Sequence, residues 1–114
     1  MMAVIFEVEP RDGMASRYFE LAAELRATLE ANDGFISVER FESLARPGRY
    51  LSLSFWRDEE AVHRWRSLDL HRQAQQEGRD AVLADYRLRV ASVIRDYGLL
   101  EREQAPPDSQ AALS

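Results

Sequence analysis

The spacing of apolar residues along this chain switches between a period of two and a period of three to four, and the order of the switches leaves few folds open. Residues 3–9, Ala-Val-Ile-Phe-Glu-Val-Glu, are β-branched or aromatic at most positions, and Pro10 and Gly13 close the run, which reads as a first strand. From Ser16 the period lengthens, and Tyr18, Leu21, Ala22, Leu25, Thr28 and Leu29 fall on one helical stripe. Asn32-Asp33-Gly34 stops that helix, with Gly34 suited to a left-handed cap. Residues 35–43 alternate again, with Ile36, Val38, Arg40 and Glu42 facing one way and Phe35, Ser37, Glu39 and Phe41 the other. Arg46-Pro47-Gly48-Arg49 is a turn by composition. A third strand follows over residues 50–57, where Leu51, Leu53 and Phe55 alternate with Tyr50, Ser52, Ser54 and Trp56, so the pair forms a hairpin. Asp58 is a good N-cap, with Glu59 and Glu60 at the positive end of the helix that Ala61, Val62, Trp65 and Leu68 then stripe, as far as Gly78.

Residues 80–97 are ambiguous. Tyr86, Leu88, Val90, Ser92 and Ile94 alternate as in a strand, while Val82, Leu83, Tyr86, Val90, Val93, Ile94 and Tyr97 would also make a helical stripe. If a short helix and then a strand form here, the order is βαββαβ. That is an α+β, ferredoxin-like arrangement with one antiparallel sheet and two helices on a single face. The second face of such a sheet should be polar if it meets water. Here it is not. The first strand carries Val4, Phe6 and Val8 opposite Ala3 and Ile5, and the third has Tyr50 and Trp56 opposite its leucines. A sheet apolar on both sides in so short a chain needs cover from a second subunit, or walls a pocket, or does both.

A chain of 114 residues supports one core and not two, so a single domain is expected over residues 1–98. A tail, 99–114, follows; it is polar from Glu101 onward, contains Pro106-Pro107 and reads as disordered. No apolar run is long enough for a bilayer, and Glu7 follows the start too soon for a signal peptide. The absence of cysteine removes disulfides and thiolate metal sites, and together these features point to a cytoplasmic protein. The 15 basic and 20 acidic residues are interspersed at a net charge of −5, which argues against a nucleic-acid partner. Every basic residue is arginine, a pattern read as codon bias in a GC-rich gene.

Val4-Ile5-Phe6-Glu7-Val8, Gly34-Phe35, Glu39-Arg40-Phe41-Glu42-Ser43 and the block from Pro47 to Val62 carry a resemblance. Trp65-Arg66, His71-Arg72, Gly78-Arg79 and Asp85-Tyr86-Arg87-Leu88-Arg89-Val90-Ala91 extend it. Together these segments resemble the antibiotic biosynthesis monooxygenase family over residues 3–97, most specifically at Ser54-Phe55-Trp56 with Asp58-Glu59-Glu60-Ala61 and Trp65. The resemblance implies that residues 86–97 are a strand. It also implies that two subunits form a dimeric α/β barrel, each with a cavity between its sheet and its helices. It further implies a self-partnered homodimer with a small aromatic ligand, working without metal or flavin.

Trp65 matches the family's helix-two tryptophan beside the substrate, although a core anchor would look the same in sequence. His71 stands where relatives carry a polar aromatic ring. Its ordinary pKa of about 6.5 suits a proton acceptor, against the plainer reading of a helix-terminal surface histidine. Tyr50, Ser52, Ser54 and Tyr86 are candidate ligand hydrogen-bonders, each equally compatible with ordinary sheet packing. Arg87 and Arg89 alternate with Leu88 and Val90; a strand-four cation could steady a phenolate, or simply sit on an exposed edge. His63 has charged neighbours and reads as solvated. Two histidines eight residues apart, without a third partner, do not make a metal site. Haem-degrading relatives need an asparagine in strand one and a histidine about ten residues after the tryptophan, where this chain has Gln75, so haem degradation is not expected.

The expected function is therefore a cofactor-independent monooxygenase of a polyphenol, anthrone or quinol-like substrate. Two alternatives share the fold: a non-catalytic ligand-binding or regulatory dimer, and a cofactor-free isomerase.

Overall fold

The computed structural model describes residues 1–109 and, at positions 69–71, 78 and 80, the backbone alone. The β-rich first segment forms β1 (Met2–Pro10), and the helical stripe that follows becomes α1 (Ala15–Ala31). The hairpin strands are β2 (Phe35–Glu42) and β3 (Tyr50–Trp56). The second helical region is two helices, α2 (Glu59–Arg66) and α3 (Asp69–Glu77), ending in one π turn at Gly78–Val82, and β4 (Leu83–Ser92) is the strand that follows. The helix expected to run unbroken to Gly78 thus breaks at Ser67, whose N–H donates to the His63 carbonyl at 3.0 Å and closes the last turn of α2. The final strand is a strand, as the resemblance implied, but it lies over 83–92 rather than reaching Tyr97.

All four strands are antiparallel in the order β2-β3-β1-β4. This is the ferredoxin-like α+β fold. The register puts Val4, Phe6 and Val8 beside Ser54, Ser52 and Tyr50 on one side and Val90, Leu88 and Tyr86 on the other. The helices cover this face: Val8 packs with Tyr18, Leu21 and Val82, and Leu29 with Trp56, Ala61 and Val62. One strand departs from strict alternation. A register shift between Phe35 and Ser37 turns Phe35 toward Trp56, ring centroids 5.4 Å apart, and leaves Ile36 53% exposed.

Two junctions fix the helices to the sheet. Gly34 has φ +91°, and a Cβ there would lie 2.5 Å from the Ala61 Cβ, so the turn after α1 needs glycine for both its backbone and its space. Asp58 caps α2 as expected, its carboxylate accepting the Ala61 N–H at 2.8 Å. Arg17 on α1 grips Glu77 on α3 through Nε and Nη2, the latter at 2.8 Å, and ties the two helices across the sheet.

The described part of the tail expected to be disordered, 99–109, turns back on residues 96–98. Gln104 Oε1 accepts the Asp96 N–H at 2.8 Å, Arg102 lies 5.1 Å over the Tyr97 ring, and Ala105 is buried. No helix among the described residues is long and apolar enough to cross a membrane.

Candidate active site

Large side chains are expected beneath helices, yet the middle of β3, between Tyr50 and Trp56, places small ones there. Ser52 and Ser54 face the helices, while Leu51, Leu53 and Phe55 face away. Two serines in the middle of the sheet do not fill the space below the helices. The result is a chamber of about 330 Å³, at the lower end of the size of small-molecule sites. Its floor is the sheet face of Val4, Phe6, Val38, Ser52 and Ser54; its roof is Tyr18, Leu21 and Leu25 of α1 with Val62 and Trp65 of α2, and α3 adds Ala74 and Gln75. Tyr86, Leu88 and Val90 of the edge strand β4 also line it, and Tyr86 is 49% exposed, so the chamber's rim lies along that edge.

Trp56 is buried at the sheet end of the chamber, and its Nε1 donates to Ser54 Oγ at 2.9 Å, satisfying the indole inside the core. Trp65 stands 6.4 Å from it, centroid to centroid, and is only half-buried, so one part of its ring packs and the rest faces the chamber. The Ser54 hydroxyl, having accepted that bond, retains its own proton to donate.

The structure brings four of the sequence-derived candidates to this chamber: Trp65, Ser52, Ser54 and Tyr86. Tyr50 shares their sheet face but packs against Phe19, 5.0 Å between centroids, and Tyr18, outside the chamber lining. Arg87 does not join them. It pairs in register with Glu7 and therefore lies on the opposite face of the sheet, exposed to solvent. Arg89 is on that face too, donating to Glu7 at 3.1 Å. His71 is in α3, but its side chain lies outside the described residues. His63 is exposed, and its Nδ1 meets Arg66 Nη2 at 3.0 Å. Among the described residues no three His, Asp or Glu side chains converge as metal ligands would.

Sequence reading passed over Arg40 and Arg79 as functional residues, and both line the chamber. For Arg40 the signal was present: a cation alternating in step with Val38 on a strand face that packs under helices.

Four carboxylates outside the chamber are held below their ordinary pKa by arginines. The Arg17 fork keeps Glu77 below its ordinary pKa. Arg57 does the same for Asp33, and for Asp58 together with the Ala61 N–H. On the far sheet face Glu7 is lowered first by its bond from Arg49, at 2.9 Å, and then by Arg89.

A ferredoxin-like sheet whose helices roof a largely apolar chamber, with a half-exposed indole in the wall, defines a class of small-ligand proteins. The model of the antibiotic biosynthesis monooxygenase family matches residues 1–77, and the chain belongs to that family. It is 52% identical over 93 residues to the jasmonate monooxygenase ABM of Pyricularia oryzae, covering 82% of this chain and 43% of that protein. It is 31% identical over 78 residues to the uncharacterised protein YqjZ of Bacillus subtilis, covering 68% and 67% of the two chains. The chain thus spans less than half the length of the first of these relatives. Among solved structures, an antibiotic biosynthesis monooxygenase of Deinococcus radiodurans superposes with a TM-score of 0.76 at 18% identity, covering 86% of this chain and 97% of the other. Rv0793 of Mycobacterium tuberculosis gives 0.75 at 18%, covering 85% and 98%. At those identities the likeness speaks for the fold.

Proposed function

We propose that the chamber is the active site of a monooxygenase that oxidises a small, mostly apolar substrate, aromatic in body, with molecular oxygen and no metal or flavin. The observation that carries this reading is Trp65, half-exposed in the wall of an apolar chamber, in a chain of the monooxygenase family.

Triplet oxygen reacts slowly with closed-shell molecules, so the substrate must become electron-rich. A CH₂ group flanked by carbonyl or aromatic groups loses a proton to give an enolate or carbanion, which transfers one electron to oxygen. The radical pair joins as a C–O bond, the peroxide takes a proton, and loss of the second C–H proton with O–O cleavage leaves C=O and water. The balance is R₂CH₂ + O₂ → R₂C=O + H₂O, with every electron drawn from the substrate. The protein then has three tasks: orient the ring, exchange protons and exclude water. Trp65 and Phe6 provide faces for the ring. Ser52, Ser54 and Tyr86 offer hydrogen bonds to its oxygens. We assign the proton-accepting role to His71, one helical turn before Ala74 and Gln75 in α3.

The working unit in this reading is a homodimer. Both helical layers lie on one sheet face, and Ile5, Leu51, Leu53 and Phe55 share the other with Phe41, which is 44% exposed. A second copy packed sheet to sheet would cover them.

The name of the Pyricularia oryzae relative puts jasmonate beside anthrones and hydroquinones among the substrates to try. The test is oxygen uptake over that panel without added reductant, which separates this chemistry from hydroxylation of an unactivated C–H bond, where two further electrons must come from elsewhere. Uptake that falls at least about tenfold in Trp65→Phe and His71→Ala is expected. No uptake by the wild type with any of the substrates contradicts the proposal. Turnover in the absence of air would instead identify an isomerase, and a ligand retained through purification without turnover a binding protein.

A further inference from the structure

The charges around the chamber are lopsided. The chain as a whole carries a net charge of −5, yet the described residues lining the chamber include three arginines, Arg40, Arg66 and Arg79, and no aspartate or glutamate. Six arginines elsewhere in the molecule are paired with acids, among them Arg17 with Glu77, Arg49 and Arg89 with Glu7, and Arg57 with Asp33 and Asp58. Arg40 has no such partner among the described residues, and its Nε is buried without a hydrogen bond. A guanidinium keeps its charge at any physiological pH, so an unpaired donor held out of water costs free energy until something accepts from it.

The register adds a second donor. Arg40 stands directly opposite Ser52 across the β2–β3 ladder, on the face that looks into the chamber. The two Nη groups of a guanidinium can bind a carboxylate through two parallel hydrogen bonds. Beside it, the Ser52 hydroxyl can donate a third. Their neighbours on the same sheet face, Val38 and Phe6, are apolar.

We propose that Arg40, with Ser52, receives the carboxylate of the chamber's ligand, so that the substrate class is a small organic acid with an apolar or aromatic body. This deepens the oxygenase reading and rests on it for the location of the site. The acid end anchors at β2–β3, leaving the body toward Trp65 and the β4 rim. Arg40 is then a binding residue that selects anions, and the reaction takes place elsewhere on the ligand.

Titration calorimetry with 1-naphthylacetate and its neutral methyl ester tests this on the whole chain. The acid should bind at least about tenfold more tightly than the ester. Arg40→Gln should lose that preference by weakening the acid alone, Arg40→Lys should keep part of it, and Arg46→Gln in the exposed hairpin turn should bind as wild type. Equal affinity of wild type for the two probes, binding of neither, or full acid affinity in folded Arg40→Gln overturns the proposal. The acid–ester comparison needs no variant, so the outcome stands even if Arg40→Gln does not fold. Oxygen uptake with a neutral anthrone on the same preparations keeps the two readings apart. Uptake without acid preference removes the carboxylate site alone, and Arg40-dependent acid binding without uptake removes the oxygenase alone.

Discussion

At Gly34 a single added methyl group would meet the Ala61 Cβ at 2.5 Å on a backbone that already has positive φ. Gly34→Ala should therefore cost about 2 kcal/mol and lower Tm by about 8 °C, measured by thermal denaturation. This glycine's capping role was readable from Asn32-Asp33-Gly34, whereas its close contact with α2 was not, because it joins residues far apart in the chain. The carboxylates make a second prediction at this scale. Glu77, Asp33, Asp58 and Glu7 are held below their ordinary pKa by arginines, so the unfolded chain binds more protons than the folded one in acid. Their contribution is fully present above the unfolded values, 4.5 for Glu and 3.8 for Asp, and is lost as pH falls below them. Tm should be flat from neutral pH to about 5 and fall below about 4, and Glu77→Gln should make that fall shallower. A Tm that rises on acidification would contradict the assignment. Trp65 could be placed at the chamber from sequence because it sits at a position the family resemblance marks, whereas the two serines were equally compatible with ordinary sheet packing. Arg40 escaped because a lone charge on a strand is ordinarily solvated, and only the helices packed above it make it unusual.

The elements were legible wherever one period dominated: β1, α1 and the hairpin fall close to their expected bounds. Reading failed where the pattern carried no information about the third dimension. Periodicity separates Leu51, Leu53 and Phe55 from Ser52 and Ser54 without saying which set lies under the helices, and the structure puts the serines there. The register shift at Ile36 likewise reverses Phe35, which strict alternation had set on the far side from Val38. The break at Ser67 has no glycine or proline to announce it; it matters because it lets α3 change course and bring Ala74 and Gln75 to the chamber. The prediction for this scale is that Ser52→Leu fills the chamber. It should keep or raise Tm, since it adds apolar volume to a void, and abolish ligand binding by calorimetry. A large loss of stability with ligand binding intact would mean the space is packed more tightly than the geometry indicates.

For the molecule as a whole, the leucines that point away from the helices are the counterpart of the serines that point toward them. One face is hollowed for a ligand, and the other presents Ile5, Leu51, Leu53 and Phe55 beside the charged Glu7, Arg87 and Arg89. Sedimentation or light scattering should give twice the 13.1 kDa of the chain. Leu53→Asp at the middle of that face should give a monomer, because a carboxylate placed between Ile5, Leu51 and Phe55 must be stripped of water to be buried at a dimer interface. A wild-type chain that stays monomeric at micromolar concentration would remove the sheet-to-sheet dimer. The two-sided character was evident from β1 and β3 alone; the division of labour between the faces needed the fold.

The claim on which the rest depends is that oxygen chemistry takes place inside the serine-floored chamber. Oxygen consumption and product formation should be followed together, without reductant, in wild type and in Ser52→Leu. One molecule of oxygen per molecule of product in wild type, and no turnover in a Ser52→Leu protein of unchanged Tm, is the expected result. Equal turnover by the two proteins would place the reaction somewhere else and contradict the account.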